Sequence, residues 1–117
     1  MDERTVLVVE DDREIRETLE DVLRDEGFSV AVASNGREAL ELLPGLRHPL
    51  AIVLDLLMPV MNGREFYERM RLDPRFATVP VLVSTSDPSW SPPGLLTMQK
   101  PVPLATLIST VSAFFER

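Results

Sequence analysis

The chain has 117 residues, of which 44% are hydrophobic and 26% are charged, a composition ordinary for one compact domain with its own core. Cysteine is absent, which excludes disulfides and thiolate metal sites, and the net charge of -7 disfavours general binding to nucleic acid or anionic membranes. No apolar run is long enough to span a bilayer, and the acidic start does not fit a secretory signal peptide. We therefore expect a single cytoplasmic domain over residues 1–117, without a nucleic-acid or membrane partner.

Short valine-rich runs alternate with amphipathic stretches along the chain. The runs "TVLVVE" and "LAIVLD" are continuously apolar up to a terminal acid, which is typical of strands buried on both faces. Strands are predicted over 5–10, 28–34, 50–55, 79–84 and 95–99. Helices are predicted within 11–27 and over 35–43, 62–72 and 104–115, where apolar residues recur at helical spacing between capping residues. This alternation predicts an α/β fold, a doubly wound five-stranded parallel sheet with helices on both faces.

Polar side chains follow four of the predicted strands. Because the carboxyl ends of parallel strands meet at one edge of the sheet, we expect these side chains to lie together there. The set consists of three carboxylates, strand-end hydroxyls and an ammonium: Glu10, Asp11, Asp55, Ser84, Thr85 and Lys100. Carboxylate oxygens suit a hard cation such as Mg²⁺, and a carboxylate can also attack phosphorus to give an aspartyl-phosphate.

Lys100 is the only lysine among the 12 Lys and Arg residues of the chain. A lone lysine can reflect composition alone. A compact ammonium nevertheless serves a tight phosphate or carboxylate site in a way that the rigid guanidinium fork of arginine does not. We therefore retain Lys100 as a candidate site residue.

Four short motifs occur in a fixed order: "LVVEDD" at the first strand, "VLDLLMPVMNG" around the third, "VPVLVSTS" at the fourth, and "KP" at 100–101. Each motif is a weak signal alone, but the four together are specific. They resemble the receiver domain of two-component response regulators, and the resemblance covers nearly the whole chain. It implies a flavodoxin-like sheet with strand order 2-1-3-4-5.

The resemblance also implies roles for the residues that match the motifs. Asp55 matches the phosphoacceptor. Glu10 and Asp11 match the acidic pair that holds Mg²⁺, together with Asp55 and the backbone carbonyl of Leu57. Thr85 matches the hydroxyl that moves to the phosphoryl group. Lys100 matches the motif lysine, which precedes a cis proline.

The function implied by the resemblance is signalling by phosphorylation. The domain accepts a phosphoryl group on Asp55 from a histidine kinase or a histidine phosphotransfer protein, with Mg²⁺ as the cofactor, and signals through contacts with an effector protein that the sequence does not name. It is not a conventional enzyme, because its chemistry is confined to its own Asp55. A homodimer is a further candidate assembly. No output domain follows Arg117, so we expect a single-domain regulator or a part of a longer chain.

Two other functions remain open at this point. A pseudo-receiver would bind a partner constitutively, without phosphorylation, but the intact set of site residues disfavours it. A small phosphohydrolase would need a second acid two residues after the nucleophile, and Leu57 stands there. Structural roles are open as well: Asp12 is interpreted as the cap of the first helix, and Thr85 alone could satisfy the backbone at a strand end.

The sequence departs from the family pattern in two places. Thr97 stands where an aromatic residue commonly lies, three residues before the lysine. Residues 85–94 read "TSDPSWSPPG", and their three prolines oppose any helix longer than a turn. We therefore predict that the fourth helix of the family is missing or reduced to a loop, and that Trp90 either covers the exposed sheet face or belongs to a partner surface.

Overall fold

The computed structural model describes residues 4–116, so the two ends of the predicted domain, residues 1–3 and Arg117, lie outside the described residues. The five strands are β1 (Thr5–Val9), β2 (Ser29–Ala33), β3 (Leu50–Leu54), β4 (Val81–Thr85) and β5 (Leu96–Gln99). All neighbouring pairs are parallel, and the order across the sheet is β2-β1-β3-β4-β5. The predicted fold class and strand order are thus confirmed.

Four α-helices connect the strands or follow them: α1 (Arg13–Asp25), α2 (Gly36–Leu42), α3 (Gly63–Arg71) and α4 (Leu104–Phe114). Three of them begin at a side chain that accepts a hydrogen bond from an N–H of the first turn, namely Asp12, Asn35 and Asn62. After α1, Gly27 adopts a φ of +95° and reverses the chain into β2. The predicted elements agree with the observed ones to within one or two residues at most ends. None of the helices among residues 4–116 has the length and apolar character needed to cross a membrane.

The sheet separates two hydrophobic clusters. Every residue of β1, β3 and β4 is buried, as continuous apolar runs predict. On one face, α2 and α3 pack against the sheet through residues such as Ala39, Phe66 and Met70. On the other face, α1 and α4 pack through residues such as Leu23 and Leu107. The rigid central strands therefore fix the positions of the residues that follow them.

The segment between β4 and β5 contains only one turn of 3-10 helix, Pro88–Trp90. Asp87 caps this turn by accepting a hydrogen bond from the Ser89 N–H at 3.2 Å. The half-buried indole of Trp90 packs, with Leu95, against the cluster on the α2 and α3 side of the sheet. The prediction of a missing fourth helix is thus confirmed, and Trp90 covers part of the sheet face that this helix would cover.

Candidate functional site

Three charged side chains meet at the carboxyl edge of the sheet. Glu10 and Asp55 each follow the last residue of a strand, and the Asp55 N–H donates to the carbonyl of Val9 at 3.0 Å. Lys100 follows β5, and its Nζ lies 2.6 Å from Glu10 Oε1 and 3.3 Å from Asp55 Oδ2. Lys100 thus provides the charge that compensates two buried carboxylates.

Asp11 completes an acidic cluster at the same edge. Its side chain is exposed, whereas those of Glu10 and Asp55 are buried, and one carboxylate oxygen from each of the three lies within 4.8 Å of the others. Hard oxygen donors that can contact one ion fit Mg²⁺. The structure therefore brings together the three acids that the sequence analysis names as metal ligands.

Burial acts differently on the two partners of the Glu10–Lys100 pair. The Glu10 side chain is only 2% exposed, and its loss of hydration raises its pKa from 4.5 to about 7, in spite of the hydrogen bond from Lys100. The Lys100 side chain is 19% exposed; burial alone would lower its pKa, but the hydrogen bond and charge of Glu10, with the charge of Asp55, raise it above the ordinary value. Lys100 therefore remains a cation, and Glu10 takes up a proton more readily than an exposed carboxylate does.

The loop after β3 is folded tightly around Asp55. The Leu57 N–H donates to Asp55 Oδ1 at 3.2 Å, and the Gly63 N–H donates to the carbonyl of Leu56 at 2.9 Å. A Cβ on Gly63 would lie 2.1 Å from the Asp55 carbonyl oxygen, so only glycine permits this approach. Val60, in the same loop, has a φ of +69°, which a β-branched residue rarely adopts. The role of the Leu57 carbonyl as a metal ligand stays a prediction.

Thr85 and Ser84 occupy the end of β4 and are both buried. Successive side chains of a strand point to opposite faces, so the two hydroxyls do not share one environment. Thr85 Oγ1 accepts a hydrogen bond from the Asp87 N–H at 3.2 Å, and the Thr85 carbonyl accepts one from the Lys100 N–H at 2.8 Å. The backbone of Thr85 is thereby tied to the start of the loop that carries the lysine. The Lys100–Pro101 peptide bond is cis, as the resemblance implies.

Thr97 stands at the position where the resemblance implies an aromatic residue. Its hydroxyl shares a hydrogen bond of 2.7 Å with the Ser91 hydroxyl and donates to the Leu95 carbonyl at 3.1 Å. Arg64, in the first turn of α3, donates to the Trp90 carbonyl at 3.4 Å. Thr97, through Ser91, and Arg64, through Trp90, therefore hold the segment between β4 and β5 in place.

Arg16 is a residue that the sequence analysis missed. It lies on α1, and its Nη1 donates to the backbone carbonyls of Glu10 at 3.0 Å and of Asp11 at 3.3 Å. An arginine among the charged positions of an amphipathic helix gives no sequence signal of such a contact. Asp12, by contrast, acts as the helix cap that the sequence predicts, since it accepts a hydrogen bond from the Ile15 N–H at 3.1 Å.

The arrangement is suited to phosphoryl chemistry on a carboxylate. Asp55 is 4% exposed and lies at the carboxyl edge of the sheet, and a cation stands beside it. A fixed ammonium stabilises negative charge on phosphoryl oxygens, and an acidic cluster that fits Mg²⁺ would place a second positive charge beside it.

Known proteins with similar sequences point to one family. Residues 6–91 match the family described as the response regulator receiver domain. The response regulator MprA of Mycolicibacterium vanbaalenii is 43% identical over 86 residues, which are 74% of this chain and 36% of that protein. The chain spans only 35%, 36% and 61% of the length of three such curated relatives, so their other segments have no counterpart in the alignment.

Solved structures agree with this assignment. The chemotaxis response regulator CheY4 of Vibrio cholerae superposes with a TM-score of 0.84 at 31% identity, over 97% of this chain and 99% of that one. The signal receiver domain of a signal transduction histidine kinase from Syntrophus aciditrophicus superposes with a TM-score of 0.82 at 32% identity, over 94% of this chain and 88% of that one. This chain therefore belongs to the response regulator receiver domain family of two-component systems, as its motifs predict.

Proposed function

We propose that the domain accepts a phosphoryl group on Asp55 from a histidine kinase or a histidine phosphotransfer protein, in a reaction that depends on Mg²⁺. The observation that carries the proposal is the position of the Lys100 ammonium, 3.3 Å from the buried carboxylate of Asp55 and beside an acidic cluster that fits the metal. Membership of the receiver domain family supports a partner of this class. Four further points stay predictions: the identity of this partner, the effector, a homodimeric state and the cytoplasmic location.

In the proposed step an Asp55 carboxylate oxygen attacks the phosphorus of a phosphohistidine. The new O–P bond forms as the P–N bond breaks, and the imidazole of the donor leaves with the electron pair of that bond. The Leu57 N–H already orients Asp55 Oδ1, and Lys100 stands next to Oδ2. Since the ammonium is fixed by Glu10, it can stabilise the charge of the transferring group without reorganisation.

Glu10, Asp11 and Asp55, with the Leu57 carbonyl, are the groups that would hold Mg²⁺. The metal, when bound, supplies positive charge to the phosphoryl oxygens. The contribution of the chain itself is to keep three carboxylates together at the edge of the sheet in spite of their mutual repulsion. Lys100 makes this arrangement tolerable by pairing with two of them.

We assign to Thr85 the hydroxyl that contacts the phosphoryl group in the phosphorylated state. It is fully buried at the end of β4, and its Oγ1 is held at present by the Asp87 N–H. In the proposed function its O–H donates to a phosphoryl oxygen on Asp55. That movement would release the Asp87 N–H and so alter the segment between β4 and β5, which is how the signal would reach a partner.

The deciding experiment is intact mass spectrometry after incubation with Mg²⁺ and a small-molecule phosphodonor. Wild type should gain the mass of one phosphoryl group, and Asp55→Asn should gain none. Asp12→Asn is the matched control: it removes a neighbouring carboxylate but keeps a good helix cap, so it should be phosphorylated like wild type. Because the acyl phosphate can hydrolyse during handling, binding of beryllofluoride to the same proteins is measured in parallel.

Two results would reject the proposal. If the folded wild type neither gains mass nor binds beryllofluoride with Mg²⁺ present, the domain is a pseudo-receiver that binds its partner without phosphorylation. If Asp55→Asn is modified as fully as wild type, the phosphoacceptor is another residue.

A further inference from the structure

One side chain of helix α1 binds the backbone of Glu10 and Asp11, the first two of the three acids after β1. Arg16, in the first half of α1, is half-buried, and a single guanidinium nitrogen donates to the carbonyls of both Glu10 and Asp11, at 3.0 and 3.3 Å. These two carbonyls belong to two of the three residues whose side chains form the acidic cluster. The Arg16 side chain thus contacts the backbone carbonyls of Glu10 and Asp11 and not their carboxylates.

The other contacts of this loop restrain different groups. The Glu10 N–H donates to the carbonyl of Ala33 at 3.0 Å, and the Glu10 carboxylate is shared between Lys100 and the Asp12 N–H. Among the described hydrogen bonds, those from Arg16 are the ones that fix the carbonyls of both acids. A peptide carbonyl without its partner turns toward whatever donor it can reach, usually water, and carries the attached side chain with it.

We propose that Arg16 is a positioning residue for the Mg²⁺ site: it locks the peptide groups of Glu10 and Asp11 so that their carboxylates face a shared ion. This inference rests on the proposed function and deepens it. Groups that orient metal ligands without touching the metal typically change affinity by about 10- to 100-fold when they are removed.

Charge and position make opposite predictions for the loss of Arg16. A guanidinium near a cation site repels the cation, so removing its charge would by itself strengthen Mg²⁺ binding. Loss of the two carbonyl contacts would loosen the ligands and weaken binding. The sign of the change in affinity therefore separates a positioning role from an electrostatic one.

The test is a titration of the full chain with MgCl₂ followed by two-dimensional ¹H–¹⁵N NMR, with the shifts of the amides around Glu10, Asp11 and Asp55 giving the Kd. Arg16→Gln should bind Mg²⁺ about 10-fold more weakly than wild type. The control is Arg13→Gln, which removes a positive charge from the first turn of the same helix. Arg13 pairs with Glu17 at 2.9 Å and makes no described contact with the loop carbonyls, so this variant should bind Mg²⁺ at least as tightly as wild type.

Melting temperatures without Mg²⁺ are measured alongside, and a weaker Kd at an unchanged melting temperature is the signature of positioning rather than of general destabilisation. An Arg16→Gln affinity equal to or tighter than wild type would overturn the inference and leave the proposed function intact. An equal loss in Arg13→Gln would also overturn it. Absence of any Mg²⁺-dependent shift in wild type would instead contradict the proposed function itself.

Discussion

Glu10 is held in an environment that does not suit its charge. Its side chain is buried, a second carboxylate stands nearby, and the only favourable charge among its described partners comes from Lys100. The consequence is the rise of its pKa to about 7. A carboxylate in this state is stabilised by a proton or by a second cation, which is the behaviour expected of a metal ligand before the metal arrives.

The raised pKa of Glu10 predicts a pH-dependent stability. The folded protein binds the proton more tightly than the unfolded chain, so this stabilisation is complete below about pH 4.5 and is lost as the pH rises through about 7. Since one pKa unit corresponds to about 1.4 kcal/mol, a shift from 4.5 to about 7 corresponds to a loss of roughly 3 to 4 kcal/mol at most. Glu10→Gln does not titrate and should lack this loss.

The measurement is urea unfolding of both proteins at pH 5 and pH 8, in EDTA. The free energy of unfolding of wild type should fall between these pH values by more than that of Glu10→Gln. All other titrating groups are common to the two proteins, so parallel changes would show that Glu10 keeps an ordinary pKa.

Single residues differ in how far the sequence could reveal them. Lys100 could be predicted, because its type is unique in the chain and it follows a strand that ends at the same edge as the others. Arg16 could not, since a long side chain on a helix reaches its partners only after the helix and the strand have docked. The need for glycine at position 63 could not be predicted either, because the close approach of Gly63 to the Asp55 carbonyl exists only in the folded loop.

At the scale of elements, the segment between β4 and β5 departs most from the family pattern. The prolines among residues 85–94 were enough to predict that no full helix forms. They did not show which face of the sheet Trp90 would cover, because that depends on how a short turn leaves β4. The structure places the indole on the α2 and α3 side, above buried side chains of that cluster.

This segment is linked to the site through Thr85, which predicts an optical signal. Thr85 Oγ1 accepts from the Asp87 N–H, and Asp87 begins the turn that carries Trp90. If Thr85 turns toward a phosphoryl analogue, the turn loses this contact and the surroundings of Trp90 change. Mg²⁺ with beryllofluoride should therefore change the emission of Trp90, the only tryptophan in the chain.

Fluorescence with excitation selective for tryptophan measures this directly. Asp55→Asn is the control, in which the same additions should leave the emission unaltered. Beryllofluoride binding without a change in emission would mean that the segment is uncoupled from the site, and output would then have to use another surface.

At the scale of the whole molecule, the two hydrophobic clusters share the same sheet. Their helices lie on opposite faces, but β1, β3 and β4 supply side chains to both. A domain of this size with a common sheet is expected to unfold in one step. The continuous apolar strands predicted from the sequence that helices cover both faces of the sheet. Which helix packs on which face could be seen only in the structure.

Leu107→Ala tests this cooperativity. Leu107 is fully buried on the α1 and α4 face, and its truncation should lower the free energy of unfolding by about 3 kcal/mol. Trp90 lies on the other face, so its fluorescence reports unfolding there, while circular dichroism reports on the whole chain. The two probes should give coincident urea curves in wild type and equal shifts in the variant. Separate transitions would instead reveal two units within residues 4–116.

The position of the sole lysine gives the domain an unusual chemical selectivity. A reagent that acylates amines has one side-chain target in the sequence besides the α-amino group, and that target is the ammonium beside Asp55. Coupling of a dye or a solid support through the Lys100 side chain would block the site, and the raised pKa of this paired ammonium makes that coupling slow. Because Lys100 is the only lysine, the rate of its acylation can be measured on the one peptide that contains it. That rate reports changes at the site without an engineered label.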